Sequence, residues 1–216
     1  MQHICDWDSL PEYPEELEYA LWEAKEEERD LEDMKIRGLV LSGMDLRKVG
    51  FHRVSFENCR LLNCNFDHGA FRKVRFKNCD LSNSDFGWSY LKECVWEDVK
   101  AVGIKAQNAK FTHVTMQGCN LRYANLGESK YENWTLQECD FTDSFLTNCQ
   151  LKDVVLRDNR FIRTSFIRTS LKGLDFTGGE LMEAQVSEDG RELAGAKVDI
   201  YQAAEFARLL GLVVKY

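Results

Sequence analysis

Phe76-Lys77-Asn78-Cys79-Asp80-Leu81-Ser82-Asn83-Ser84-Asp85-Phe86 carries a large apolar residue at every fifth position, and the spacing runs far beyond this stretch in both directions. Stepping by five from Ile36 to Val186 meets 31 residues, all apolar or aromatic, and 24 of them are Leu or Phe. Two residues before each lies a second, mostly small class, among them Val49, Val54, Cys59, Cys64, Gly69, Val74 and Ser84. The other three positions of each pentad are mostly polar, and no insertion shifts the register between residues 34 and 184. A period of five fits neither an α-helix, which needs 3.6, nor a strand running straight, which needs 2. It fits a chain that turns a corner every five residues, sends the large residue and the small one inward, and stacks on itself as a solenoid. The period alone leaves the number of sides open.

Phrases such as Cys79-Asp80-Leu81-Ser82-Asn83, Ala124-Asn125-Leu126 and Cys139-Asp140-Phe141-Thr142 resemble the repeating unit of the pentapeptide-repeat family. The resemblance covers roughly 34 to 188 and implies an all-β solenoid: a right-handed, quadrilateral β-helix with residues 20 apart in one column. Three segments are expected: an acidic leader with a capping helix over 1–33, the β-helix over 34–190, and a C-terminal helix and tail over 191–216.

At 216 residues and 25.1 kDa, with mean hydropathy -0.42, the chain has apolar content for one continuous core. No run of 18 apolar residues and no basic-then-apolar start are seen, so the cytoplasm is the expected place and no membrane is expected as a partner. Seven of the eight cysteines (Cys59, Cys64, Cys79, Cys94, Cys119, Cys139, Cys149) fall in the small inward position and read as reduced core filler. Cys59 with Cys79, and Cys119 with Cys139, would stack on successive coils, where oxidation could bridge them. There is no C-x-x-C and no histidine close enough to complete a zinc site, so no metal or cofactor is expected.

The net charge of -8 is unevenly placed. Residues 1–35 hold 13 acidic and 3 basic side chains, whereas the rest holds 23 and 25. Cys5, Trp7 and Tyr13 are available to tuck against something. From Pro14 a helix is predicted, with Leu17, Leu21, Ala24, Leu31 and Met34 as its narrow apolar stripe. Its reading is a cap over the first coil, with docking to a basic partner as the alternative. Within the repeats, Ala101 and Ala106 underfill one coil while Trp96, Val99 and Ile104 overfill it, as volume compensation requires. Trp134, in a column with Cys94, Val114 and Val154, is expected to force a bulge, turn outward or have its strain absorbed by packing. The duplicated Phe161–Ser165 and Phe166–Ser170 put Ile162 and Ile167 on the outside near Met182.

After Val186 the pentads decay through Asp189-Gly190, a turn signal. Asp199 then reads as the N-cap of a helix over Ile200 to Leu210, stopped by Gly211. Gln202, Glu205 and Arg208 form its one polar stripe, so the helix needs cover on two sides. The solenoid supplies one. A second copy is the expected other, through Ile200, Ala203, Phe206, Ala207, Leu209, Leu210, Leu212 and Val214. This tail resembles the C-terminal helix of the Qnr-type quinolone-resistance subfamily. The resemblance implies a rod-shaped homodimer that mimics duplex DNA in the saddle of DNA gyrase or topoisomerase IV.

No catalytic residues are assigned: there is no phosphate loop, no dinucleotide fingerprint and no nucleophile elbow, and His3, His52, His68 and His113 are scattered. Two binding readings stand. The first is the Qnr-like DNA mimic with a type II topoisomerase as partner. The second is a scaffold for another macromolecule, with a basic face of Arg53, Arg72, Lys73, Lys92, Lys110, Lys130, Lys152 and Lys172 against Glu93, Glu132 and Asp153. Direct nucleic-acid binding by that face ranks below the first reading.

Overall fold

The registers of the parallel ladders fix the number of sides. Phe51 pairs with Phe71, Phe71 with Leu91, Leu91 with Phe111 and Phe111 with Tyr131, each 20 residues on. Twenty residues at one corner per five give four sides. The computed structural model describes residues 5–13, 17–27, 29–209 and 211–215, and in it the coils form a four-sided β-solenoid of about eight turns from Leu31 onward. Side one is centred on Leu31, Phe51 and their 20-residue successors, side two on Ile36 and Phe56, side three on Leu41 and Leu61, and side four on Leu46 and Phe66.

Sides one and two are continuous parallel sheet, so strands such as Gly50–Glu57, Lys110–Gln117 and Lys130–Gln137 run across the corner between them. Sides three and four are held mostly by single bridges, from Asp45↔Asn65 through Asp85↔Lys105 to Phe145↔Ser165. The sequence explains the difference. On sides three and four the residue before each centre is often Asp or Asn, whose side chain accepts the N–H two residues on: Asp80 from Ser82 at 3.0 Å, Asp85 from Gly87 at 2.8 Å, Asp140 from Thr142 at 2.9 Å. That local bond takes the place of a ladder bond and tightens the turn.

From Asp33 to Glu183 every corner but the one at Gly178 also uses a left-handed residue two after the centre. Asn58, Asn63, Asn78, Asn83, Asn108, Asn133 and Asn148 all have φ between 51° and 58°, and Gly103 and Gly118 take the same role at 67° and 63°. Asn and Gly tolerate that region most readily, and bulky side chains adopt it less often. Trp88 (φ 54°) and Tyr123 (φ 58°) hold it nonetheless, with both rings exposed.

The inward residues form one core, in which the aromatic rings stack up the axis. Phe56 lies over Phe76 at 5.0 Å and Phe66 over Phe86 at 4.8 Å. Trp96 fills the coil that Ala101 and Ala106 leave open and meets Phe76 at 5.4 Å; all three are buried. Trp134 neither turns outward nor breaks the ladder: it is buried, pairs in register with Val114, and lies on Tyr131 at 4.2 Å. The indole fits because its plane follows that of the neighbouring ring, so one slab holds both.

Both ends are covered by helices. Helix α1, Leu17–Glu26, buries Leu21 and Ala24 in the core over the first coil. The expected helical stripe is too long: Leu31 and Met34 belong to a strand, Leu31–Arg37, paired with Gly50–Glu57. Leu31 is simply the pentad centre one step before Ile36, so the stacking of coil on coil overrides helical spacing there. Pro14 and the side chain of Leu17 lie outside the described residues. At the far end residues 191–197 lay a partial extra rung on the last coil, Leu171 N–H donating to Glu192 and Phe176 N–H to Lys197. Helix α2, Ile200–Leu209, follows. Asp199 caps it by accepting the N–H groups of Tyr201 and Gln202 at 2.8 and 2.9 Å, and Gly211, at φ 86°, ends it.

Candidate functional site: four faces and two ends

A regular solenoid presents surfaces rather than a cleft, so each sequence-predicted group is located on a side or at an end. The seven inward cysteines are all buried and free, and no thiol is bridged among the described residues. Burial pushes Cys94 up to about 12 and Cys149 up to about 11, so these thiols stay protonated. Cys79 and Cys119 are raised by the thiol stacked against each, Cys59 and Cys139, and by burial. Their hydrogens find backbone carbonyls, as Cys59 does at Ile36 and Cys94 at Phe71, each at 3.4 Å. No group of His, Cys, Asp and Glu able to hold a metal occurs among the described residues.

The eight cations of the predicted basic face do share side one, all pointing outward. Stacking brings carboxylates beside several of them. Arg53 meets Asp33 at 3.0 Å, Lys152 meets Glu132 at 2.5 Å, and Lys73 and Lys92 each stand 3.8 Å from Glu93. Lys110 lies over the ring of Tyr90 at 5.6 Å. Glu132 is held below its ordinary range by Lys152. Such exposed pairs are weak, yet they divide the face into alternating charge.

The corner between sides two and three has the opposite character. Asp98, Glu138 and Asp158 occupy its left-handed position, exposed and without an ion pair among the described residues. With Asp140, which Arg122 faces at 3.9 Å, they make a column of carboxylates interrupted by Gly118 and flanked by Lys100, Arg157 and Arg160, its members spaced by multiples of about 4.8 Å. Composition hid this row, because the solenoid as a whole is nearly neutral.

At the C-terminal end, α2 is attached through its polar stripe. Gln202 is buried and its Nε2 donates to the carbonyls of Phe176 and Gly179, both at 3.0 Å, which anchors the helix to the last coil. The apolar circumference is thereby turned out: Ile200, Tyr201, Leu209, Leu212 and Val213 are between 54% and 87% exposed. Ala203 joins them, and Ala207 and Val214 are half-buried. Phe206, expected on the outer face, instead packs partly against the core. It shares Gln202's face four residues on, so it turns inward with that anchor. Leu210 lies outside the described residues.

At the other end Trp7, one of the leader residues available to tuck against something, is what holds the leader; its partners, 66 and 68 residues on, are not visible in the spacing. Trp7 is buried against the solenoid: its Nε1 donates to the Lys73 carbonyl at 2.8 Å, and the Arg75 guanidinium stands 5.5 Å from the ring centre. Asp8 bonds Arg75 at 2.9 Å, and Glu12 pairs with Arg37. Arg75 also meets Glu57 at 2.5 Å. Burial opposes charge on Glu57, but Arg37 and Arg75 outweigh it and hold the carboxyl below its ordinary value.

Residues 49–126 match a family described as a pentapeptide repeat region, and residues 135–173 match one described as pentapeptide repeats in eight copies. The two matches take in more than half of the chain, and the chain belongs to the pentapeptide-repeat family. Its fold resembles that of a trypsin-treated variant of QnrB1, a plasmid-mediated fluoroquinolone resistance protein, at 23% identity and a TM-score of 0.51, covering 87% of this chain and 90% of that one. HetL, a pentapeptide-repeat protein involved in heterocyst differentiation regulation from the cyanobacterium Nostoc, aligns at 18% identity and a TM-score of 0.36, over 77% and 88% of the two chains. No curated protein matches the sequence. No helix among the described residues is long and apolar enough to cross a membrane.

Proposed function

We propose that this chain is a non-catalytic binding protein that dimerises through α2 into a rod and engages a type II topoisomerase, DNA gyrase or topoisomerase IV, as a mimic of duplex DNA that protects the enzyme from quinolones. The observation that carries the reading is the outer face of α2: a helix pinned by its polar residue leaves its apolar residues for a second copy. Eight coils at the strand spacing give about 40 Å of solenoid per chain, and an end-to-end pair doubles it. The carboxylate row Asp98–Glu138–Asp158 supplies local negative charge where net charge does not. The fold likeness to QnrB1 and the tail that resembles the Qnr subfamily support the same target.

The test is gyrase supercoiling in the presence of a fluoroquinolone. Protection by the wild-type protein, lost in the triple variant Asp98→Asn, Glu138→Gln, Asp158→Asn, is the expected result. No protection over a wide range of protein, together with a salt-sensitive shift of DNA that depends on Arg72 and Lys130, would replace this reading with the basic side.

A further inference from the structure

A cap needs to cover only the end of a solenoid, but the leader does more. Residues 11 and 13 exchange backbone hydrogen bonds with Lys35 in the first coil, and the chain before them runs up the outside to the third coil, where Trp7 meets Lys73 and Arg75. On the way the Asp8 carbonyl accepts from Lys35 Nζ at 2.9 Å. Side two presents four cations here, Lys35, Arg37, Arg75 and Lys77, and one carboxylate, Glu57. The leader brings the missing negative charge, as Asp8 on Arg75 and Glu12 on Arg37. The Asp8 side chain is 81% exposed while Arg75 beneath it is buried, so the strap is held by the buried Trp7 and Leu10, the backbone pairing with Lys35, and ion pairs open to water on their acidic side. Past Trp7 the same column of the solenoid continues uncovered as a groove of about 580 Å³, lined by Cys5, Trp7, Val95, His113, Thr115 and Gln117 among others.

We propose that the corner between sides one and two is a groove for an extended acidic peptide of a partner protein, one carrying an aromatic residue followed by a carboxylate, and that residues 5–13 fill its first three coils as an internal competitor. The strap is the template for the ligand: a ring over Arg75 with its donor on the Lys73 carbonyl, the next carboxylate on Arg75, and a backbone that pairs with Lys35. A nucleic acid lacks the backbone groups that pair with Lys35, and Glu93 and Glu97 past Trp7 confine an acidic ligand to the strap's own first three coils. A tethered competitor acts at high effective concentration, so the free groove is exposed only when the strap is weakened.

The probe is a fluorescent peptide with the sequence of residues 6–13, titrated by anisotropy into the full-length protein. Trp7→Ala is expected to bind it about tenfold or more tighter than wild type, because the competitor is disabled. Adding Arg75→Gln should abolish the gain, and a peptide with its tryptophan replaced by alanine should not bind. Asp8→Asn, a change at an exposed side chain, repeats the test should Trp7→Ala unfold. The idea is overturned if neither variant binds the peptide more tightly than wild type. It is equally overturned if an oligonucleotide of matched charge competes as well as unlabelled peptide, or if Trp7→Ala halves the sedimentation mass, which would make the strap an exchange between two copies.

Discussion

The two ends of this solenoid solve one problem in opposite ways. An open coil leaves unpaired backbone and bare core, which invites edge-to-edge growth. At the N-terminal end the chain closes it internally: α1 buries Leu21 and Ala24, residues 11–13 pair with Lys35, and Trp7 seals the corner. At the C-terminal end α2 also covers the last coil, but its attachment runs through Gln202, and a new apolar face is exposed in place of the one it hides. One end terminates the rod. The other leaves an apolar helix face exposed.

The sharpest way to break this comparison is at the sealed end. Leu21→Ala is expected to remove about 2–5 kcal/mol of stability, the usual range for truncating a buried leucine, read as a lower denaturant midpoint. Next comes acid. Glu192 is buried against the last coil; burial alone would raise its carboxyl, but the Ser187 hydroxyl and the N–H groups of Arg168 and Ser187 hold it down to about 2, from 4.5. A lowered folded value means stability present above pH 4.5 and lost as pH falls toward 2, on the order of 3 kcal/mol. Glu192→Gln should flatten that loss in thermal melts across the window. Gln202→Ala takes a donor from two carbonyls, of which Phe176 keeps the Gly179 N–H, and should cost about 1–3 kcal/mol, with hydrogen exchange quickening in α2 before the coils. The smallest effect on stability is expected outside: Leu209→Glu with Leu212→Glu should move the melt by about 0.5 kcal/mol or less in the monomer while halving the sedimentation mass. An unchanged mass would remove the argument that the C-terminal end is completed by a second copy. Phe206 is a poor site for that test, because it packs on the solenoid.

Much of the fold was legible because one geometric rule repeats. A corner every five residues forces the same two positions inward in each pentad, so the core from Ile36 to Ala184, the buried cysteines and the compensation around Trp96 follow from counting alone. Counting failed where two rules overlap or where side-chain shape matters. Leu31 and Met34 satisfy helical spacing and pentad spacing at once, and only coil stacking decides between them. Trp134 is large by volume, but it lies flat on Tyr131, and its orientation within the slab is not a property of the sequence column. The candidate surfaces were the least legible part. Asp8 and Arg75 are 67 residues apart, and the row of Asp98, Glu138 and Asp158 spans three separate coils.

The sequence by itself determined the coil: period, inward set, corner residues and absence of register breaks, because each is a local steric requirement repeated along the chain. The tertiary structure alone decided what each surface offers: four sides from a 20-residue stacking offset, alternating charge on side one, a carboxylate row at one corner, a strapped groove at another and a greasy helix face at one end. Those depend on which residues from different turns come to lie side by side. A spacing rule that acts along the chain leaves that free until the coils are stacked.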